Sequence, residues 1–235
     1  MYLIKRTHDK FYAIEKNENV KQSFVKIADL IQSELIDENL KIADIGCAIG
    51  AFPGYLKNRF ENIEVKGFEY SGELISAGKS IFPEVEFING DITMEKDWVR
   101  YEKYFNVVTM LGVLQIFDEI DAPLKNIYKI CKEGASVYIH GLFNPYPLDV
   151  FIKYQEANSK HLESGWNIIS QDSMVKKMYK IGFKNIRFHE FKIDFDLKKK
   201  EDPVRSWTET LEGGERQIVN GLCIKQPQFI LQATA

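Results

Sequence analysis

Cysteine is scarce in this chain. Cys47, Cys131 and Cys223 are odd in number, far apart and without a CxxC spacing, which argues against a disulfide framework and points to a reducing, cytoplasmic setting. Long apolar runs are absent too. The longest, Val107 to Phe117, contains Thr109 and Gln115 and is far too short to span a bilayer. Met1 to Val20 is polar and charged throughout, so no signal peptide and no membrane insertion are expected. Basic excess is missing: 31 Lys and Arg stand against 34 Asp and Glu, a net charge of −3. That balance argues against a domain built mainly to grip nucleic-acid phosphates. Nothing repeats, and the nearest approach to a charge run, Lys198-Lys199-Lys200-Glu201-Asp202, reads as a solvated turn ended by Pro203. No His and Asp cluster has ligand spacing, so no metal is expected.

What is present is ordinary globular material, 45% hydrophobic and 28% charged over 235 residues, enough for one sizeable core and one domain over 1–235. Val20, Phe24, Ile27, Ile31 and Leu35 make one stripe of a helix capped by Asn17 or Asn19, a helical cover over 1–36. From Leu40 the pattern alternates. Strands are expected at Leu40–Ile45, Ile63–Phe68, Val85–Ile88, Tyr104–Met110 and Ala135–His140. Helices are expected at Phe52–Phe60 and Gly72–Ile81, and again after the fourth strand, where Ile120, Leu124, Ile127 and Cys131 share a face and Gly134 stands as C-cap. Such alternation calls for an α/β fold, a doubly wound and mostly parallel sheet. Beyond residue 141 the rhythm changes. A helix over Ser170–Ile181 stops at Gly182. Ile186–Leu197 is strand-like with a phase shift that a bulge near His189 or Glu190 would explain, and a last strand runs over Gln228–Ala233. The last two strands suggest an antiparallel C-terminal hairpin on a seven-stranded sheet.

The turn after the first strand carries the chemistry. Asp44-x-Gly46-x-x-x-Gly50 ends a strand and opens a helix, with glycines where a ligand would lie against the backbone. It lacks the G-x-G-x-x-G spacing of dinucleotide sites, and the carboxylate ahead of it favours a cation over a phosphate. Glu69 ends the second strand and is followed by Tyr70; a carboxylate there can accept from both ribose hydroxyls. Gly90-Asp91-Ile92 follows the third strand. In this order the features resemble class I S-adenosylmethionine-dependent methyltransferases, over roughly residues 40–142, within a cofactor-binding half expected over 37–142. The resemblance implies a Rossmann-like fold and S-adenosylmethionine as cofactor. It implies cofactor contacts from Asp44, Gly46, Ala48, Gly50, Glu69 and Tyr70, then Asp91 and Ile92 at the adenine, then Leu111, Gly112 and Gln115 after the fourth strand, with Tyr12 closing over the ligand. Simpler roles stand beside these: Asp91 as a cap, Glu69 as a solvated carboxylate, Tyr12 as packing.

Methyl transfer to a hydroxyl profits from a base. His140, at the C-terminal end of the fifth strand, is the first candidate, and His161 and Glu163 come second. Residues 143–169 are read as a substrate lid, with Asn144, Tyr146 and Trp166 offering polar and aromatic contacts, and 170–235 as a C-terminal helix and hairpin carrying Arg216. Each could equally serve packing or solvation. No N/D-P-P-Y/F motif follows the fourth strand, so an amino-targeting nucleic-acid enzyme is not expected. The resulting expectation is O-methylation of a small polar metabolite, a sugar or a phosphorylated compound of surface polysaccharide synthesis. An apolar acceptor such as a quinone precursor, or a silent cofactor-binding module, is the alternative. Oligomeric state is unreadable.

Overall fold

Apolar runs buried on both faces belong in the middle of a parallel sheet, and the runs from Lys41 onward form one. In a computed structural model, which describes residues 20–34 and 39–235, α1 (Gln22–Glu34) precedes five parallel strands. These are β1 (Lys41–Ile45), β2 (Glu64–Glu69), β3 (Glu86–Asn89), β4 (Phe105–Leu111) and β5 (Cys131–Asn144). The helices α2 (Ala51–Arg59), α3 (Gly72–Ile81) and α4 (Asp121–Ile130) connect them. Three short strands follow, β6 (Lys153–Gln155), β7 (Leu162–Ser164) and β8 (Ile169–Ser170), and then α5 (Gln171–Ile181). The chain ends with β9 (Lys184–Glu190), β10 (Trp207–Thr210), β11 (Arg216–Val219) and β12 (Gln228–Thr234). β12 lies between β5 and β9, antiparallel to both, so the sheet path runs β3-β2-β1-β4-β5-β12-β9, with β8 pairing the far end of β5. This is the doubly wound, mostly parallel sheet expected from the alternation.

Side chains two apart on a strand share a face. On one face Ile42, Val65, Val107, Tyr138 and Ile230 pack under Ile27 and Ile31 of α1 and Phe52 and Leu56 of α2. On the other, Ala43, Val108, Val137 and Leu231 pack under Leu124 of α4, Met174 of α5 and the fully buried Trp98. Each fully buried large apolar side chain contributes roughly 1.5–3 kcal/mol.

Three local expectations change. First, α4 ends at Ile130, because Cys131 turns extended (φ −72°, ψ 137°) and pairs with Phe105 of β4. Gly134 (φ +77°) is therefore no C-cap; it lies where the β4–β5 register slips, its N–H bonded to the Ala235 carbonyl at 2.8 Å. Second, the late strand stops at Glu190, and the phase change is the strand's end: the Phe191 N–H bonds the Gln228 carbonyl (2.9 Å) before the chain leaves the sheet. The irregularity in the β9–β12 pairing sits instead opposite Gln232–Thr234, beside Asn185 (φ +52°). Third, β9 and β12 pair as expected, but the β10–β11 hairpin is inserted between them. The expected Asn17 or Asn19 cap lies outside the described residues.

Candidate active site

Asp44, Glu69 and His140, singled out at the strand ends, share one face of the sheet. In register, Asp44 opposes Gly67 and Thr109, Thr109 opposes Tyr138, and Leu111 opposes His140. Period-2 alternation then puts Glu69, Asp44, Thr109 and His140 on the α1 side. Asp44 and His140 stand two strands apart, about 9–10 Å across the sheet, with β4 between them.

Asp44 is almost wholly buried (3% exposed). Its Oδ1 accepts from the Thr109 hydroxyl at 2.7 Å. Burial pushes its carboxyl up to about 7; the Thr109 hydrogen bond works against that rise and the Glu69 charge adds to it. Glu69 is also buried. Its carboxylate accepts from the Ala48 N–H (3.0 Å) and the Ser71 N–H (2.9 Å), which binds the glycine turn to the end of β2. Ala48 itself is left-handed (φ +50°), aiming its N–H at Glu69.

The glycines are explained by packing as well as by access. Gly46 (φ +70°) would bring a Cβ to 2.5 Å from Val113 Cγ2, and Gly50 (φ +84°) would drive one into the Phe87 ring. Gly112 (φ +72°) differs: a Cβ there meets nothing within 4 Å, so its backbone borders open space. Its N–H bonds the His140 carbonyl at 2.9 Å, tying the loop after β4 to the end of β5.

Asp91 is engaged locally. Its Oδ1 accepts from both the N–H and the hydroxyl of Thr93, at 2.8 Å each; it does not cap the next helix, the short turn Glu95–Asp97, whose N-cap is Met94. Ile92 is buried, and its carbonyl accepts from Asn126 (2.7 Å). Tyr70 is half-buried, and its carbonyl, like that of Glu69, accepts from the Asn89 side chain. Asn89 thus clamps the ends of β2 and β3, a role the sequence reading missed.

His140 is half-buried, and its Nε2 is sealed from solvent with no hydrogen-bond partner. The Phe191 ring stands edge-on against it at 5.0 Å. Burial pushes the imidazole down to about 4, partly offset by the neighbouring Gln228 side chain and reinforced by the Lys21 charge, so the ring is neutral near pH 7. Gln115 lies on the opposite face: its amide packs on Gly141, where a Cβ would come within 2.9 Å of Nε2. Its Oε1 is likewise buried without a partner.

Residues 143–169 fold back on this edge. Asn167, fully buried, donates to the Phe117 carbonyl (3.0 Å) and accepts from the Ile152 N–H (2.7 Å), while its own N–H bonds the Gln115 carbonyl (3.0 Å). Asp118 holds the β6–β7 hairpin through Lys153 and Ser164. Trp166 (φ +63°) and His161 each carry a buried ring nitrogen without a partner. The other expected contacts are turned to different uses. Asn144 braces its own loop, bonding the Leu148 carbonyl and the Tyr146 N–H, and Tyr146 is 70% exposed. Arg216 pairs with Asp196 at 2.8 Å, pinning β11 to the segment after β9. Tyr12 lies outside the described residues. Among the described residues no group of three or more His, Cys, Asp or Glu side chains could hold a metal, and no helix is long and apolar enough to cross a membrane.

A strand order of 3-2-1-4-5 continued by an antiparallel strand, with a glycine turn between two buried carboxylates, defines the Rossmann-like architecture of class I methyltransferases. Residues 20–187 match the family described as Methyltransferase domain, and the chain belongs to that family. Its relatives include the sterol 24-C-methyltransferase of Debaryomyces hansenii, 26% identical over 188 residues, 76% of this chain and 47% of that protein. The sterol 24-C-methyltransferase of Candida albicans is 25% identical over the same shares. The chain thus spans about half the length of the curated relatives it matches. Among solved structures, a SAM-dependent methyltransferase of Methanosarcina mazei superposes with a TM-score of 0.62 at 14% identity, covering 87% of this chain and 96% of that one. Phosphoethanolamine N-methyltransferase 2 of Haemonchus contortus, in complex with S-adenosylmethionine, gives 0.58 at 18% identity, over 79% of this chain and 44% of that one.

Proposed function

We propose that this chain transfers the methyl group of S-adenosylmethionine to a hydroxyl of a small acceptor, with His140 receiving the hydroxyl proton. One observation carries the acceptor half: a neutral imidazole on the face of Asp44 and Glu69 keeps a buried Nε2 without a partner. A buried polar atom left unmade costs about 1–3 kcal/mol, and an acceptor hydroxyl is the group that would satisfy it. When bound, the cofactor supplies a methyl group already activated on a sulfonium. Glu69 would receive the ribose hydroxyls, Asp44 would face the cationic methionine end, Ile92 would flank the adenine, and the open backbone at Gly112 would border the ligand. Positioning does most of the work in such a displacement. A base as weak as His140 still suffices, because the acceptor oxygen becomes strongly acidic only as it gains the methyl group.

Small polar acceptors, a sugar or a phosphorylated metabolite, are the first class proposed, with residues 143–169 as the lid. A second reading, an apolar acceptor such as a quinone precursor, is favoured by the lid's outer surface. There Tyr146, Leu148, Phe151 and Leu162 are between 52% and 70% exposed, apolar groups that an apolar acceptor could meet. Calorimetric titration with S-adenosylhomocysteine tests the cofactor half. Glu69→Ala is expected to weaken binding by about 1.5–3 kcal/mol, the scale of hydrogen bonds to a charged group. A folded wild type that binds none would overturn the assignment. A panel of labelled-methyl assays on sugar, phosphorylated and quinol-type acceptors then separates the two readings.

A further inference from the structure

We propose that the groove between α4 and α5 is a second ligand site, one that takes a compact oligophosphate. The cavity there measures about 740 Å³, within the roughly 300–1,000 Å³ that small-molecule sites occupy. Two rows of lysine flank it at helical spacing. Lys125 and Lys129 stand on α4 with Lys132 just beyond it, and Lys177 and Lys180 stand on α5 with Lys184 just beyond. Tyr128 and Ile181, both half-buried, also line it. Gly182 lets the two helices close on Tyr128, since a Cβ there would come within 2.6 Å of its hydroxyl, and the Tyr128 ring stands edge-on to Phe183 at 5.0 Å. Packed elements therefore frame the groove. Lys103 ahead of β4, Cys131 at the start of β5 and Lys184 at the start of β9 set it at the strands' starting edge, opposite the edge that carries Asp44, Glu69 and His140.

Seven lysines line the groove against three acidic side chains, Glu102, Asp121 and Glu133, in a chain of net charge −3. Two of the seven are neutralised, Lys129 by Glu95 at 2.8 Å and Lys177 by Asp121. Lys132 reaches the Asn106 side chain at 3.1 Å. Lys103, Lys125, Lys180 and Lys184 have no ion-pair partner among the described residues. Lys129 and Lys180 also suit the negative ends of their helices, but the remaining lysines have no such reason to converge. Like charges gathered round one cavity repel, and a multiply charged anion is the group that relieves them. Lysine without arginine points to phosphate, which an ammonium meets as a point charge, over carboxylate, which the guanidinium fork matches in pairs of bonds. The positive charge is confined to one cavity, so a compact ligand fits, whereas a long nucleic acid would run out over a surface of net negative charge.

Titration calorimetry of the full chain with sodium tripolyphosphate, at low and at high salt, tests the site. One ion is expected to bind per chain at low salt, and several-fold more weakly at high salt, where screening shortens the reach of the lysines. Lys125→Gln with Lys180→Gln should weaken binding roughly tenfold or more; both side chains are exposed and unpaired among the described residues, so the fold is spared. Lys198→Gln with Lys199→Gln removes the same charge from the exposed run before Pro203 and should leave binding unchanged. S-adenosylhomocysteine should not compete. Adenosine triphosphate binding more tightly than tripolyphosphate would support the site with a nucleotide as the source of the phosphates, and equal binding would support it with a free oligophosphate. Absence of tripolyphosphate binding at low salt, equal losses in the two double variants, or displacement by S-adenosylhomocysteine overturns the proposal. Tighter binding of a single-stranded oligonucleotide, lost in the groove variant, overturns it in favour of a nucleic-acid surface.

Discussion

Asp44 ties the fold's stability to pH in a direction opposite to that of a surface carboxylate. An unfolded aspartate titrates near 3.9, whereas burial raises Asp44 to about 7 in the folded chain. Between those values the folded state binds the extra proton, so this group's contribution to stability falls as pH rises and is fully lost above about 7. Integrated over the interval, the cost is about 4 kcal/mol, of which about 2.5 kcal/mol falls between pH 5 and pH 8. Asp44→Asn removes the titration and retains the size of the side chain. Urea unfolding of both proteins at pH 5 and pH 8 isolates the effect, since all other groups cancel in the difference. The variant is expected to gain about 2.5 kcal/mol on the wild type between the two pH values. Thr109→Val deletes the hydrogen bond that opposes the rise, so it should extend the wild-type slope to higher pH. A wild-type-to-variant difference constant to within about 0.5 kcal/mol, the level at which independent effects normally add, would refute the account of Asp44 as a desolvated, titrating carboxyl.

The same group should couple to ligand binding. If a cation binds beside ionised Asp44, S-adenosylmethionine affinity is expected to be about tenfold weaker at pH 6 than at pH 8, with proton release on binding seen by calorimetry in buffers of different ionisation enthalpy. Equal affinity and no proton release would separate Asp44 from the cationic end of the cofactor. Gly50→Ala places a side chain at φ +84° and into Phe87, and should cost about 2–4 kcal/mol of stability from backbone strain and overpacking together. Phe87→Leu in the same chain should recover part of that loss in thermal unfolding, and strict additivity of the two would show that the ring is not what Gly50 accommodates.

Much of the cofactor half was legible because its signals are local. The Gly72–Ile81 helix needs only its own sequence, with Ser71 accepting from the Leu74 N–H at its start. Asp44 and Glu69 could be picked out because a carboxylate closing an apolar strand must find donors, and both are buried with donors in place. Thr109 was visible but passed over: one hydroxyl in a strand buried on both faces is itself a sign of a polar partner across the ladder. The misplaced helix end was a competition the sequence does not display. Gly134 has the left-handed backbone of a C-cap, but pairing of Cys131 with β4 had already drawn the chain out of the helix.

The acceptor half resists such reading for a different reason. Asn144, Tyr146 and Arg216 were chosen for their chemistry, yet an asparagine that braces a Pro-rich loop and an arginine that pins a hairpin have the same composition as ones that hold a substrate. Residue type does not separate the two uses; the face of the sheet does. Phe191 and Gln228 reach His140 only because β12 enters antiparallel between β5 and β9 and sets a register across three strands. A slip of one residue in β12 would send Gln228 to the opposite face and bring Phe229 or Pro227 towards the imidazole. The identity of the group beside His140 is therefore a property of strand pairing, and a substitution that shifts the β5–β12 register should change it.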